Sequence, residues 1–116
     1  MTIRNKKNYM AQLWDWGFLD DCFGGTQIKV SDLDGIVERN GHFLVIEAKG
    51  PGAPVPQGQS IMFSQMAANP ALTVLVVWGE PNKPDHAQVW GRERVKADEA
   101  KIKRLVSRWY QYANEG

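Results

Sequence analysis

Apolar and polar positions along the chain change period from one segment to the next. Residues 5–16 (NKKNYMAQLWDW) predict a short helix with Tyr9, Leu13 and Trp16 on one side. Gly24-Gly25 then breaks the chain, and residues 26–30 predict a first strand. Two β-favouring runs, Ile36-Val37 and Phe43-Leu44-Val45-Ile46, flank Asn40-Gly41, the preferred pair for a two-residue type I′ hairpin turn. Gly50-Pro51-Gly52 ends the second of these strands, and Pro54 and Pro56 stiffen the loop after it. A helix is expected from about Gln57 to Ala68, closed by Asn69-Pro70. Residues 71–78 (ALTVLVVW) are continuously apolar and Val-rich, which suits a strand covered on both faces. A loop at 80–85 and a strand from His86 to Trp90 follow. The last segment, Asp98 to Ala113, repeats Ile102, Leu105, Val106, Trp109 and Tyr112 at helical spacing. This order predicts a single α/β domain over residues 1–116, a mixed β-sheet flanked by helices.

The hairpin brings chemistry with it. With Asn40 and Gly41 as the turn, Arg39 faces His42, and counting outward sets Asp34 opposite Glu47 and Asp32 opposite Lys49. Side chains alternate along strands, so Asp34, Glu47 and Lys49 share a face with Ile36, Phe43 and Val45, while Val37, Leu44, Ile46 and Ala48 take the other. Directly opposed residues hold their Cβ atoms about 4.5–5.5 Å apart. Two carboxylates that close repel unless a cation lies between them, and their oxygens can reach a shared divalent ion. The bland alternative is that Asp34 and Glu47 mark the solvated end of the hairpin, with Lys49 an ordinary cross-strand salt-bridge partner.

Composition narrows the classes. Apolar residues make up 43% and charged residues 23%, ordinary for a globular domain. The net charge of +1 excludes a uniformly basic nucleic-acid coat but leaves room for a local patch. A single cysteine, Cys22, excludes an internal disulfide and reads as a small buried residue. With only two histidines besides, no zinc ligand set is available, and no glycine-rich phosphate loop with Lys-Ser/Thr occurs. No stretch has the length of a membrane span and the N-terminus lacks a signal core, so a cytoplasmic protein without membrane contact is expected.

The segment from Asp34 through Glu47-Ala48-Lys49 resembles the core of the PD-(D/E)XK (restriction-endonuclease-like) nucleases. Its spacing is similar to that of archaeal Holliday-junction resolvases, and the short chain resembles the small phage nucleases of the VRR type. The specific similarity covers about residues 31–63. The resemblance implies that Asp34, Glu47 and the backbone carbonyl of Ala48 bind Mg²⁺ or Mn²⁺, and that Lys49 orients the attacking water or stabilises charge at the phosphate. It also implies a glutamine opening the next helix, with an aromatic residue four positions on, which Gln59 and Phe63 match. Leu33 rather than proline precedes Asp34, and Ser31 precedes Asp32; both aspartates stay candidates, with the hairpin register favouring Asp34. Many members carry an acid on the first helix, usually Glu; residues 1–37 contain none, which leaves Asp15, Asp20 and Asp21 open for that part.

Basic residues gather toward the end of the chain, and Lys101, Arg104 and Arg108 line one side of the last helix's apolar stripe. They are candidates for contacts to DNA phosphates, or simply a solvated helix face. The resulting expectation is a Mg²⁺-dependent DNA endonuclease, acting as a homodimer on branched DNA, with Trp14, Trp90 and Trp109 as candidate interface anchors. The alternative is a catalytically inactive nuclease-like module of phage or mobile-element origin that binds DNA or protein.

Overall fold

A computed structural model describes residues 13–115, which fall into two compact units divided after Asp32. In the described part of the first unit, a 3₁₀ helix spans Trp16–Cys22. Asp15 caps it by accepting a hydrogen bond from the Gly17 N–H at 2.8 Å. Trp14 stacks on Trp16 with ring centroids 5.4 Å apart. The helix expected over residues 5–16 lies mostly outside the described residues; of its end, residues 13–15 are irregular and Trp16 opens the 3₁₀ helix. No strand forms at 26–30. Instead, Thr26 donates its hydroxyl to the Phe23 carbonyl and accepts from the Ile28 N–H, local bonds that compete with strand pairing. Cys22 is exposed, not buried as expected.

The second unit is a five-stranded mixed sheet with one helix on each face. In chain order it runs β1 (Gly35–Arg39), β2 (His42–Lys49), α1 (Gln57–Ala67), β3 (Leu72–Glu80), β4 (Lys83–Val89), β5 (Val95–Lys96) and α2 (Glu99–Glu115). The spatial order of the strands equals the chain order. Every neighbouring pair is antiparallel except β2 and β3, whose parallel pairing is made possible by the crossover through α1.

The hairpin forms as expected. Asn40 and Gly41 take φ of 53° and 79°, the left-handed values a type I′ turn demands, and Arg39 faces His42. The turn also meets the end of α2. Asn40 Nδ2 donates to the Ala113 carbonyl at 3.2 Å, and Arg39 Nε donates to Asn114 Oδ1 at 2.8 Å. The Asn40 bond serves a helix C-terminal carbonyl that has no partner within the helix, and the Arg39 bond holds a side chain of the same turn.

The strands β2 and β3 are covered on both sides. Leu44 and Leu75 pack with Ala87, Trp109 and Ala113 under α2, and Val45, Val74, Val76 and Trp78 pack with Phe63 under α1. At the edge, β1 leaves Ile36 and Val37 exposed, whereas Leu44 and Val45 of β2 are buried on opposite faces. Asp98 caps α2 by accepting from the Lys101 N–H. The loop expected at 80–85 shrinks to a two-residue turn at Pro81-Asn82, since β3 runs to Glu80 and β4 starts at Lys83. Pro84 pairs with Gly79 next to an irregularity in the β3–β4 ladder, the kind of place where proline is tolerated in a sheet. Trp109 is buried and Trp90 lies against Phe63 with ring centroids 5.3 Å apart, so both belong to the core; Trp14 is exposed.

Candidate functional site

The last Cα pair of the hairpin joins Gly35 to Ile46, and the next position outward sets Asp34 against Glu47. Here the backbone ladder gives way to a side chain. Asp34 Oδ2 accepts the Ala48 N–H at 2.8 Å, which ties this aspartate to the end of β2. Of the two aspartates left open by the sequence, Asp34 therefore meets the Glu-Ala-Lys segment.

Glu47 is 7% exposed and is the buried ionisable residue of the core. Its Oε1 accepts from Gln59 Nε2 at 3.3 Å, while its Oε2 is buried with no donor. Gln59 turns its other end to Lys49, accepting from Nζ through Oε1. One amide thus links the carboxylate to the ammonium and fixes both. The reason lies in the chain path: Gln59 stands in the first turn of α1, and α1 lies over the sheet face that carries Val45, Glu47 and Lys49. Burial, and then the neighbouring Asp34 carboxylate, push the Glu47 carboxyl above the usual carboxylate range; Lys49 and Gln59 pull the other way. Two acidic groups in contact, one with an orphaned buried oxygen, are short of positive charge.

That shortage suits a hard divalent cation, which prefers oxygen ligands. Asp34 and Glu47 would supply two of them. Among the described residues no third His, Cys, Asp or Glu joins the pair. The remaining positions would fall to backbone oxygen, with the Ala48 carbonyl the candidate from sequence, and to water, which Mg²⁺ retains readily. A cleft of about 860 Å³ opens at the carboxyl ends of β2 and β3; neither Asp34 nor Glu47 lines it, and its border includes Ile46, Ala48 and Val77 with Glu99 and Ile102 of α2, largely on the sheet face opposite Glu47. Clefts outside the carboxyl ends of parallel strands are common places for ligands.

The parallel register adds residues that local sequence does not point to. Lys49 pairs with Trp78 across β2 and β3. Trp78 is 1% exposed and donates its indole N–H to the Ala53 carbonyl at 2.7 Å. The Arg94 guanidinium lies over its ring, 3.8 Å from the centroid. No hairpin or helix periodicity relates positions 49 and 78, which the pairing of strands joined through α1 brings together; Arg94, just before β5, reaches Trp78 through the antiparallel run of β3, β4 and β5. Lys101, Arg104 and Arg108 are carried by α2, whose apolar side packs on the opposite sheet face from Glu47 and Lys49. The structure does not bring this basic stripe to the carboxylates.

No helix among the described residues is long and apolar enough to cross a membrane. In comparisons with protein families, curated proteins and solved structures, nothing matches this chain.

Proposed function

We propose that the protein is a metal-dependent nuclease of the PD-(D/E)XK type that hydrolyses DNA phosphodiester bonds. The observation that carries this reading is the pair Asp34 and Glu47, in contact and with a buried Glu47 oxygen that has no donor, braced against Lys49 through Gln59. A hairpin with only a structural purpose gains nothing from that arrangement, since an unsatisfied buried carboxylate oxygen destabilises the fold.

In this reading Asp34 and Glu47, with the Ala48 carbonyl, hold a Mg²⁺ or Mn²⁺ ion. The ion would polarise the phosphoryl oxygen and acidify a water molecule. Asp34, held by the Ala48 N–H, keeps one carboxylate oxygen for the ion. Gln59 fixes the Glu47 carboxylate and the Lys49 ammonium relative to each other. Lys49 places its positive charge where the phosphorane-like transition state gathers negative charge, and donates toward the attacking water or a phosphate oxygen. Branched DNA acted on by two copies of the chain is the favoured substrate arrangement, because one small hairpin site offers little surface to read a long duplex.

The test is incubation of the purified protein with single-stranded, duplex, flapped and four-way DNA, in Mg²⁺ and in EDTA. Cleavage is expected in Mg²⁺ alone. Asp34→Asn, Glu47→Gln and Lys49→Ala should each lower the rate by about 10²-fold or more while circular dichroism shows an intact fold. Wild-type rates from any of the three would overturn the assignment.

A further inference from the structure

Arg94 has no carboxylate partner among the described residues, and its side chain makes no hydrogen bond there, yet its position is defined. The Trp78 ring beneath it is held by its own N–H bond to Ala53 and by burial. A guanidinium held over an aromatic ring leaves N–H donors free to point away from it, in a planar fork that matches a phosphate. Trp78 is on the α1 side of the sheet, as are Glu47 and Lys49. Lys49 and Trp78 are direct register partners, so the backbone of Trp78, whose ring carries Arg94, lies one strand spacing, ~5 Å, from that of the lysine. The same register row continues from Trp78 to His86 and from His86 to Lys96. From Lys49 to Lys96 it crosses four strands, about 14 Å, at right angles to them.

We propose that Arg94 binds a backbone phosphate of the nucleic-acid strand next to the phosphodiester held at Glu47 and Lys49, and that the strand leaves the site along this row toward Lys96. Arg94 is a substrate-positioning residue, and the inference rests on the nuclease reading for the identity of the strand. Stacking on Trp78 holds the fork open before the substrate arrives. A guanidinium needed only to cover the ring would do so equally well as an uncharged chain of similar length.

Arg94→Met keeps an apolar chain over Trp78 and removes the charge; Arg94→Lys keeps the charge and loses the planar fork. Binding of a fluorescently labelled single-stranded oligonucleotide is measured in EDTA over a range of salt, which separates binding from cleavage. For Arg94→Met, the slope of log affinity against log salt should fall by about 0.7, the counterion release of one single-strand phosphate contact, with an unchanged melting temperature. Arg94→Lys should retain the slope. In Mg²⁺, Arg94→Met should raise KM and leave kcat unchanged. A wild-type slope in Arg94→Met overturns the proposal. If wild-type protein binds with an Arg94-dependent slope but never cleaves, the phosphate contact stands and the catalytic reading fails. If wild-type protein does not bind the oligonucleotide at all, both fail.

Discussion

Glu47 concentrates the energetics of the site in one side chain. Its carboxyl is pushed up by burial and by Asp34, so the metal-free folded state holds the proton over a range where the unfolded chain has already released it. The associated stability is present below the ordinary carboxylate value of 4.5 and is lost as pH rises through the higher folded-state value. Above that range the ionised Glu47, next to Asp34, weakens the fold. Glu47→Gln in EDTA should therefore melt a few degrees higher than wild type at neutral pH, with the gap closing toward pH 4. Adding Mg²⁺ should reverse the order, because a ligand that binds only the folded wild type raises its stability by mass action. Scanning calorimetry across pH, with and without the ion, checks both halves.

Individual elements differ in how far the chain announces them. The hairpin is legible because two residues, Asn40 and Gly41, set a turn type, and the turn sets every pairing outward to Asp34 and Glu47. Gln59 was legible only through resemblance, since its role depends on where α1 lands on the sheet. The pairing of Lys49 with Trp78 was not legible, because nothing short-range fixes the register of strands separated by a crossover helix. The strand expected over 71–78 runs on to Glu80, and Gly79 within it is no loop residue. It is instead a point of close approach in an irregular ladder, with φ of 149°. A Cβ there would lie 2.3 Å from the Lys83 carbonyl oxygen and 2.8 Å from Pro84 Cα, both backbone atoms that cannot swing aside. Gly79→Ala should destabilise the domain by about 2–4 kcal/mol in chemical denaturation, loosening the seat of Trp78. Gly50→Ala, where a Cβ meets nothing within 4 Å, is the control and should change stability little.

Across the sheet-bearing unit as a whole, charge is divided between two layers. The acidic pair, Lys49 and Arg94 belong to the α1 side, and Lys101, Arg104 and Arg108 belong to α2 on the other. Ile102, Leu105, Val106 and Trp109 of the last helix face the sheet, but Tyr112, counted in the same apolar stripe, is 53% exposed, and a helix pattern carries no information about which sheet face it will cover. A consequence follows for DNA binding. Replacing Lys101, Arg104 and Arg108 together by Ala should reduce the salt dependence of binding to long duplexes, where a second segment can reach α2. If a short single strand follows the proposed Lys49–Lys96 row, the same change should leave its salt dependence unaltered. Equal losses on both substrates would show that a single surface serves them.

The turn that sets the hairpin register also gives the protein a chemical age. In an Asn-Gly pair the glycine amide nitrogen can attack the asparagine side-chain carbonyl carbon, expelling ammonia and closing a succinimide that water opens to aspartate or isoaspartate. At Asn40-Gly41 both participants are engaged: the asparagine amide donates to the Ala113 carbonyl, and the Gly41 N–H donates to Glu38 Oε2 at 2.8 Å. These contacts restrain the attack while the protein stays folded. After conversion, a carboxylate would face carbonyl oxygens at the negative end of α2, exchanging attraction for repulsion. Isoaspartate would go further, adding an atom to the backbone at the turn from which Asp34 and Glu47 are counted into place. Slow deamidation at the hairpin tip would thus reach the carboxylate pair at the far end of the same two strands.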